Sequence, residues 1–525
     1  MSRPESPSYA PLPSIRNTIL AIAALCCWNF LFWRQAYGIN FSLVWLLAIG
    51  LLSIAKPVSW LDRRVLLCGL AGFTAAIACA IHGSPLARWA LTGFGFLQAG
   101  FALSPELRAI PVVMTRALAQ PFISIRESAQ SIRSNIRDRG ALAGLPSFHL
   151  HREWLTIAFF PMVITGMFFS IYSFANPHFS STVSQWWIRA MEGIRQIFQN
   201  FSIEWISFML LGLAIALIFL SRSDWRGLSR WEMLIPEKLR RRRRSHAPRM
   251  DFDTMDLRRE YRMGMSTLIM VNLLIFFYLI IDYRFLFKAD SISGAELKAM
   301  VYESTGGLIL SILLAMALLL YFFRGNLNFY PDQRRRLQKL AYIWIGSNAI
   351  LAVSLIIRNM LYIQSNGLAY KRLGIFFWLV LVAAGLWTFW KKIDRRKSAF
   401  WLVKSNAICA VILLAVSAPV DWDRIILKVN LNHTSGIQQP VFLLDMPDRL
   451  LPTLWENHPE LYRMRDEDYP EYAKLPKYSG PVLEGRVMGF IADKDSESWP
   501  SWTLREAQAR KYFAELPQFQ SSSHN

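Results

Sequence analysis

The chain has 525 residues, of which 53% are hydrophobic and only 18% are charged, and its net charge is +21. A soluble chain has about 25% charged residues, so a series of soluble domains is excluded, as are a disordered chain and a disulfide-rich secreted protein. Residues 420–525 have 16 acidic and 12 basic residues, which leaves a net charge of +25 on residues 1–419.

Long apolar segments fill most of residues 1–419, and each is close to the roughly 20 residues that a membrane-spanning helix needs. They predict an all-α, polytopic transmembrane bundle of about eleven spans, with ten to twelve possible: 17–34, 38–55, 65–82, 86–103, 154–175, 205–221, 264–282, 304–323, 339–357, 373–390 and 399–418. The last segment contains Lys404, whose long side chain would have to reach the headgroups from within a span. The basic charge therefore belongs to a membrane protein, and no nucleic acid is expected as a partner.

The charges between the spans predict an orientation. With the N-terminus inside, the cytoplasmic connections carry net charges of +2 to +6 and most external connections are near neutral, as the positive-inside rule requires. The exception is the external connection that contains Arg358, Lys371 and Arg372. The predicted regions are a cytoplasmic N-terminus (1–16), a four-helix part (17–103), a cytoplasmic amphipathic loop (104–153), two spans with an external interfacial helix (154–221), a basic cytoplasmic loop (222–263), a five-helix part (264–418) and an extracytoplasmic tail (419–525).

Two connections have apolar residues at helical spacing. In residues 116–139, Phe122 and Ile125 belong to a stripe with arginines along its edge, which is typical of an amphipathic helix in the membrane interface. Trp187 belongs to a similar stripe in the external connection. The alternative is that both stripes pack on neighbouring spans. The basic loops, including Arg240–Arg244, are expected to meet anionic lipid at the cytoplasmic surface.

Sequence motifs of soluble enzymes are absent. The chain has no phosphate-binding loop, no Gly-x-Ser-x-Gly, no His-Glu-x-x-His and no Cys-x-x-Cys, so no catalytic residue and no cofactor are predicted. His149 and His151 could offer two imidazoles, but two ligands do not define a metal site. The five cysteines all lie in predicted spans, and disulfides are therefore not expected to stabilise the fold.

Polar side chains within the spans are better functional candidates, because polar groups in a bilayer must find partners. Asn348 lies in the middle of segment 339–357, and Arg358 and Asn359 close the same helix. Helical geometry puts Arg358 about 80° from Asn348 and Tyr362 about 40° from Arg358, so a polar stripe can face the bundle interior. The structural alternatives are an interhelical hydrogen bond for Asn348 and an interface anchor for Arg358.

The same region carries a recognisable pattern of residues. It consists of Tyr342-Ile-Trp followed by Asn348, then Arg358 and Tyr362-Ile, then Gly367-Leu and Arg372, with Pro419, Ile425-Ile426, Asn430, Trp499, Trp502 and Arg505 further on. This pattern, over about residues 250–520, resembles a family of bacterial multi-spanning membrane proteins catalogued as domain of unknown function 4173, of which domain 4153 is a close relative. Asn366 and Ala369 stand where that family has Tyr and Thr.

The resemblance implies a helical membrane fold in the bacterial inner membrane, and it supplies no activity. It adds Gly367, Arg372 and Asn430 to the candidate functional residues Asn348, Arg358, Asn359 and Tyr362.

The tail, residues 419–525, has ten prolines and few long apolar runs, which predicts an extended, partly ordered segment that packs on its own bundle. Short helices are expected at Leu443–Leu454 and Thr503–Phe513, the second with the Thr-x-x-Glu spacing of a capping box. Trp499 and Trp502 are expected near the membrane surface.

Three functions are compatible with these features. The first is a non-enzymatic envelope scaffold, sensor or signalling partner in the inner membrane, which predicts a complex with another membrane protein. The second is a secondary transporter or flippase-like protein, which needs polar groups along a path at mid-depth. The third is a membrane-embedded transferase acting on a lipid-linked substrate, for which Asp282, Asp421 and Asp423 are the available external carboxylates.

Overall fold

A computed structural model describes residues 15–138, 202–220, 226–240, 257–286, 331–432, 445–457 and 482–520, with shorter pieces at 181–189, 320–323, 326–329 and 442–443 and a few single positions. Helices are the regular structure in this part of the chain, and the only pairing of extended backbone there is an isolated bridge between Lys238 and Lys397. The predicted all-α class is confirmed for the described residues.

The long helices overlap the predicted spans, but those over 264–282 and 339–357 extend several residues beyond the predicted segments at both ends. In chain order they are α1 (Ile15–Phe32), α2 (Asn40–Ala55), α3 (Arg63–Ile81), α4 (Pro85–Leu103), α5 (Ile110–Asp138), α6 (Ile203–Leu220), α7 (Arg226–Leu234), α8 (Leu257–Leu286), α9 (Pro331–Asn366), α10 (Tyr370–Asp394), α11 (Ala399–Ser417), α12 (Trp422–Leu431), α13 (Leu451–Asn457), α14 (Val482–Ser496), α15 (Leu504–Ala514) and α16 (Pro517–Gln520).

Six of the described helices, namely α3, α6, α8, α9, α10 and α11, are long and apolar enough to cross a membrane, and α1 and α2 are apolar but shorter. The chain is therefore a multi-pass membrane protein, while the count of about eleven spans is not established. The predicted segments 154–175 and 304–323 lie largely outside the described residues. Helix α4, which covers the predicted segment 86–103, combines leucine and phenylalanine with alanine and glycine, and most of its residues are buried.

The structure divides into two compact units. The first contains residues 1–34 and 119–223, and in it α1 packs against α6. Trp28 donates from its indole nitrogen to the carbonyl of Phe208 at 3.1 Å and stacks on the Phe208 ring. A Cβ at Gly212 would lie 2.4 Å from the Trp28 ring, so glycine permits this close approach.

The second unit contains residues 35–118 and 224–525. Its bundle is held by α3 packed on α4, and by a core that α8, α9, α10 and α11 share, in which Trp344 and Phe389 are fully buried. Helices α9 and α10 form an antiparallel hairpin. We call the end of this bundle at Asn366 and Tyr370 the tail side. We call the opposite end, at Asp394, the strap side, after the segment 226–240 (the strap) that contacts it.

The tail is a folded helical domain, and the prediction of an extended segment is wrong for its described residues. Its apolar core is formed by residues of α12 to α16 and of the segment just before α13. Leu368, from the α9–α10 turn, completes this core. The apolar residues stand singly at helical spacing, as Leu483, Val487 and Phe490 do, so a search for long runs does not find them.

Two details of the tail were predicted from the sequence. Thr503 accepts from the backbone nitrogen of Glu506 and bonds its carboxylate, which confirms the capping box at the start of α15. The tail also packs on its own bundle, since the backbone nitrogen of Ile39 donates to the carbonyl of Trp502 at 2.9 Å.

The two apolar stripes are exposed where the structure describes them. Helix α5 includes the predicted stripe, and Phe122 and Ile125 are exposed on it. Residues 181–189 are helical, and Trp186 and Trp187 are exposed. The interfacial interpretation and packing on neighbouring spans both stay predictions for these stripes.

Candidate functional site

The turn between α9 and α10 requires glycine at position 367. Gly367 has φ +76, in the left-handed region, and a Cβ there would lie 2.5 Å from the side-chain oxygen of Asn430. Both the backbone conformation and the close approach exclude a larger residue without rearrangement. The turn is therefore shaped to receive a side chain from the tail.

Asn430, on α12, fills that place. Its Oδ1 accepts from the backbone nitrogen of Leu368 at 2.6 Å, and its Nδ2 donates to the carbonyl of the same residue at 2.8 Å. Both polar groups of one peptide residue are thus satisfied by a single side chain. This pairing attaches the tail to the α9–α10 hairpin.

Arg372 closes the C-terminus of α9. Its Nη1 donates to the carbonyl of Asn366 at 2.7 Å and also to that of Gly367. Its guanidinium lies 4.3 Å from the centre of the Tyr362 ring, a cation–π contact. A buried arginine here supplies donors and positive charge to the last carbonyls of a helix, which otherwise have no partner.

Asn359 completes this arrangement, because its Nδ2 donates to the carbonyl of Arg372 at 3.0 Å. We call Asn359, Tyr362, Gly367, Arg372 and Asn430, together with Leu368, the junction. Five of the seven candidate residues therefore lie in one cluster, and its polar groups bond the backbone of the protein itself.

The other two candidates lie deeper in the bundle. Asn348 is buried and donates to the carbonyl of Trp344, four residues earlier in α9, at 2.8 Å. Arg358 is also buried and hydrogen-bonds the hydroxyl of Tyr278 on α8. Both side chains face the bundle interior, as expected, and the bond of Arg358 to Tyr278 links α9 to α8.

A charged cluster lies beside the junction, and it contains none of the seven candidate residues. Arg449 bonds the carboxylate of Asp423 and lies 3.6 Å from that of Asp421, and all three side chains are largely buried. Tyr370, the first residue of α10, hydrogen-bonds Asp423. Buried carboxylates need such partners, since an unpaired buried charge is strongly unfavourable.

His82, at the end of α3, reaches this cluster from the first part of the chain. Its Nε2 lies 3.3 Å from the carbonyl of Pro419, and its Nδ1 accepts from the backbone nitrogen of Ser84 at 3.3 Å. Burial lowers the pKa of His82, and the nearby Asp421 only partly opposes this effect. The imidazole is therefore neutral near pH 7, with its proton on Nε2, and both nitrogens bond the backbone.

One signal in the sequence could have revealed part of this cluster. Asp423 precedes Asn430 by seven residues, two turns of helix, so both lie on one face of α12. Arg449 has no comparable local signal, because its partners are distant in the sequence. His149 and His151 lie outside the described residues.

A different set of contacts lies on the strap side. The strap, residues 226–240, was expected to be part of a solvated basic loop. Glu232 is buried and accepts from the backbone nitrogens of Arg108 and Ala109, at 3.0 and 2.7 Å, just before α5. Glu237 bonds Lys404 at 2.7 Å, which supplies the polar partner that a lysine in this apolar helix needs.

The comparison with known protein families identifies the chain. The model of the family described as Domain of unknown function (DUF4153) matches residues 41–447. The chain belongs to this family. The match begins far before residue 250, where the resemblance in the sequence was placed, and it includes all seven candidate residues. No curated protein and no solved structure matches the chain.

Proposed function

We propose that this protein is a non-enzymatic scaffold, sensor or signalling partner of the bacterial inner membrane, which holds its tail domain in a fixed position on the membrane bundle. The observation that carries this proposal is the junction. Its polar side chains bond the protein's own backbone, as in the pairing of Asn430 with Leu368. Binding and catalytic sites instead direct polar groups towards a ligand.

The orientation that we propose puts the strap side in the cytoplasm and the tail outside. Basic residues are concentrated on the strap side. They lie at the starts of α3 and α9 and in the connection after α10, which contains Arg395, Arg396 and Lys397. The positive-inside rule supports this orientation. These charges also suit anionic lipid at the cytoplasmic surface, and the tail surface would then be offered to a membrane-protein partner outside.

A transporter is less well supported by the contacts of the mid-span polar groups. Asn348 bonds its own helix and Arg358 bonds Tyr278, so each has a partner within the bundle. A membrane-embedded transferase is the second candidate, because His82 lies near Asp421 and Asp423 although it is more than 300 residues away in the sequence. Against it, Arg449 and the backbone already engage these groups.

The test is purification of the full chain in mild detergent, followed by mass spectrometry of the proteins and lipids that accompany it. We expect one membrane protein in constant ratio, recovered again when the partner itself carries the tag. Asn430→Leu should release it, because the tail loses its attachment at Leu368. Asn348→Leu, a buried asparagine outside the junction, is the matched control and should retain it.

Two outcomes would contradict the proposal. One is a monodisperse chain without a protein partner but with bound lipid or solute, which would favour the transferase or the transporter. The other is equal partner recovery with Asn430→Leu when limited proteolysis shows the tail released, since the fixed tail would then have no role in the interaction.

A further inference from the structure

The tail side of the second unit exposes several large aromatic side chains. The exposed fraction is 59% for Trp499, 44% for Trp502 and 76% for Trp89, near the start of α4. Tryptophan is among the side chains most often buried in proteins, at least in part. Exposed tryptophans also lie towards the strap side, at Trp387 and Trp390, and such rings at both ends are typical of a bundle in a membrane rather than in water.

The position of Trp499 and Trp502 follows from the backbone contacts of the segment that contains them. Trp502 accepts from the nitrogen of Ile39, directly before α2. A Cβ at Gly38 would lie 2.3 Å from the carbonyl oxygen of Ser501, and one at Gly83 would lie 3.2 Å from Thr503. The segment thus lies against the ends of α2, α3 and α4.

Those helix ends mark a depth in the membrane. Helix α3 has 19 residues, or about 28 Å at 1.5 Å per residue, and this matches the roughly 30 Å of bilayer hydrocarbon. Its last residue, Ile81, therefore lies at the boundary between acyl chains and headgroups. Tryptophan is enriched at that level, where an apolar ring and a polar N–H are both accommodated.

A groove of about 370 Å³ lies between these tryptophans and one face of α15. The helix contributes Glu506, Arg510, Lys511 and Ala514, and Glu497 lies in the same lining, so two carboxylates and two cations line the groove. The Lys511 ammonium lies 4.0 Å from the carboxylate of Glu515. Aromatic rings beside side chains of both charges at headgroup depth match the chemistry of a zwitterionic phospholipid, whose phosphate suits the cations, whose ammonium suits the carboxylates and whose glycerol region suits the rings.

We infer that the groove formed by Trp499, Trp502 and α15 docks on the phospholipid headgroup layer, with the indole rings among the headgroups and Lys511 towards the phosphates. A protein segment would be the other kind of occupant. The depth of the groove decides between them, because the bilayer surrounds the ends of α2 and α3 in every molecule. This inference goes beyond the proposed function and holds for either orientation of the chain.

The test compares two positions on α15 in the full chain, reconstituted in nanodiscs with a nitroxide on the lipid headgroup. Ala514→Cys puts a bimane label in the groove, and Gln508→Cys puts the same label on the exposed opposite part of the helix. Four cysteines are changed to serine, namely Cys26, Cys27, Cys68 and Cys409; the fully buried Cys79 is kept. We expect the nitroxide to quench the label at 514 about twofold or more relative to 508, since docked elements lie within about 5–10 Å of the headgroups.

A second labelled position tests the rings themselves. Trp499→Cys with the same bimane label should also be quenched about twofold or more relative to 508, while the exposure of this ring predicts little change in the unfolding temperature. Equal quenching at 514 and 508 would overturn the inference. Equal quenching at 499 and 508 would also overturn it, because the rings would then not lie among the headgroups.

Discussion

The two ends of the α9–α10 hairpin close a helix by the same means but in different surroundings. On the tail side Arg372, near the start of α10, donates to the last carbonyls of α9. On the strap side Arg334, near the start of α9, donates to the carbonyls of Ile393 and Asp394 at the end of α10. Arg372 is only 3% exposed, whereas Arg334 is half-buried.

This difference in burial explains why the residues of the tail side form a recognisable sequence pattern. A buried cap relies on protein atoms for its partners, which restricts the residue types at Asn359, Gly367 and Asn430 as well. Even so, Asn359 Oδ1 and Arg372 Nε are buried without a hydrogen-bond partner in the described part of the chain. On the strap side the bond from Arg334 to the carbonyl of Asp394 is exposed, so water can replace that donor. Two contacts there join backbone groups, from Leu239 to Arg396 and from Ser398 to Glu237, and backbone contacts depend little on which side chains are present.

The largest expected effect comes from removing each arginine. Arg372→Leu leaves two part-buried carbonyls without this donor, and each is worth up to about 1–3 kcal/mol of the free energy of unfolding. Arg334→Leu, the matched change on the strap side, should cost about 0.5–1.5 kcal/mol, the ordinary net value of a hydrogen bond. Denaturant unfolding of both variants in one detergent measures the difference, and equal losses would show that burial does not distinguish the two ends.

A smaller effect is expected at the glycines of the hairpin. Substitution by alanine should lower the stability at one glycine, and at a control glycine it should leave the stability unchanged or raise it. Gly367→Ala should destabilise the protein by about 1–2 kcal/mol through its left-handed backbone, and more if Asn430 is displaced. A Cβ at Gly374, seven residues on in α10, meets nothing within 4 Å. Gly374→Ala should therefore be neutral or stabilise by about 0.5–1 kcal/mol. Thermal unfolding of the two variants decides, and a stable Gly367→Ala protein would contradict the role assigned to the turn.

The smallest effect is expected on the strap side, at the pair of Glu237 and Lys404. The hydrogen bond from Lys404 holds the pKa of Glu237 below its usual value. Stability from this pair is therefore fully present above the usual pKa of a glutamate and is lost as the pH falls through the lowered pKa. A partly exposed pair is worth about 0–1 kcal/mol, so Glu237→Gln should lower the unfolding temperature slightly at pH 7.

The pH dependence separates this pair from other acid-sensitive contacts. The small difference between Glu237→Gln and the parent protein should disappear in acid, once the parent carboxylate is protonated. A difference that persists unchanged at low pH would show that the carboxylate charge of Glu237 is not what stabilises the parent protein.

The sequence was informative where the bilayer limits the choice of residues. Helices α8 to α11 follow from apolar runs of sufficient length, and Asn359 and Tyr362 follow from the rule that polar groups near a span need partners. Gly367, Arg372 and Asn430 came from the resemblance to a family, and their contacts explain why these residue types occur together.

The remaining features depend on contacts between distant segments. The pairing of Asn430 with Leu368 spans 62 residues, and Arg449 meets Asp423 only because the tail folds over α12. No local pattern encodes such partners, since periodicity reports one face of one helix. The same limit explains the error about the tail, whose apolar residues are too scattered to form a run.

The contact between Gln35 and the last part of the tail has a consequence for the order of assembly. Ser498 bonds Gln35 across 463 residues, and Trp502 supplies the acceptor for Ile39 close by. The loop before α2 is synthesised before its partner, which follows 463 residues later. Until residues 498–502 are made, the membrane helices of this unit are present while Gly38 and Ile39 stay uncovered, so these contacts form after those helices.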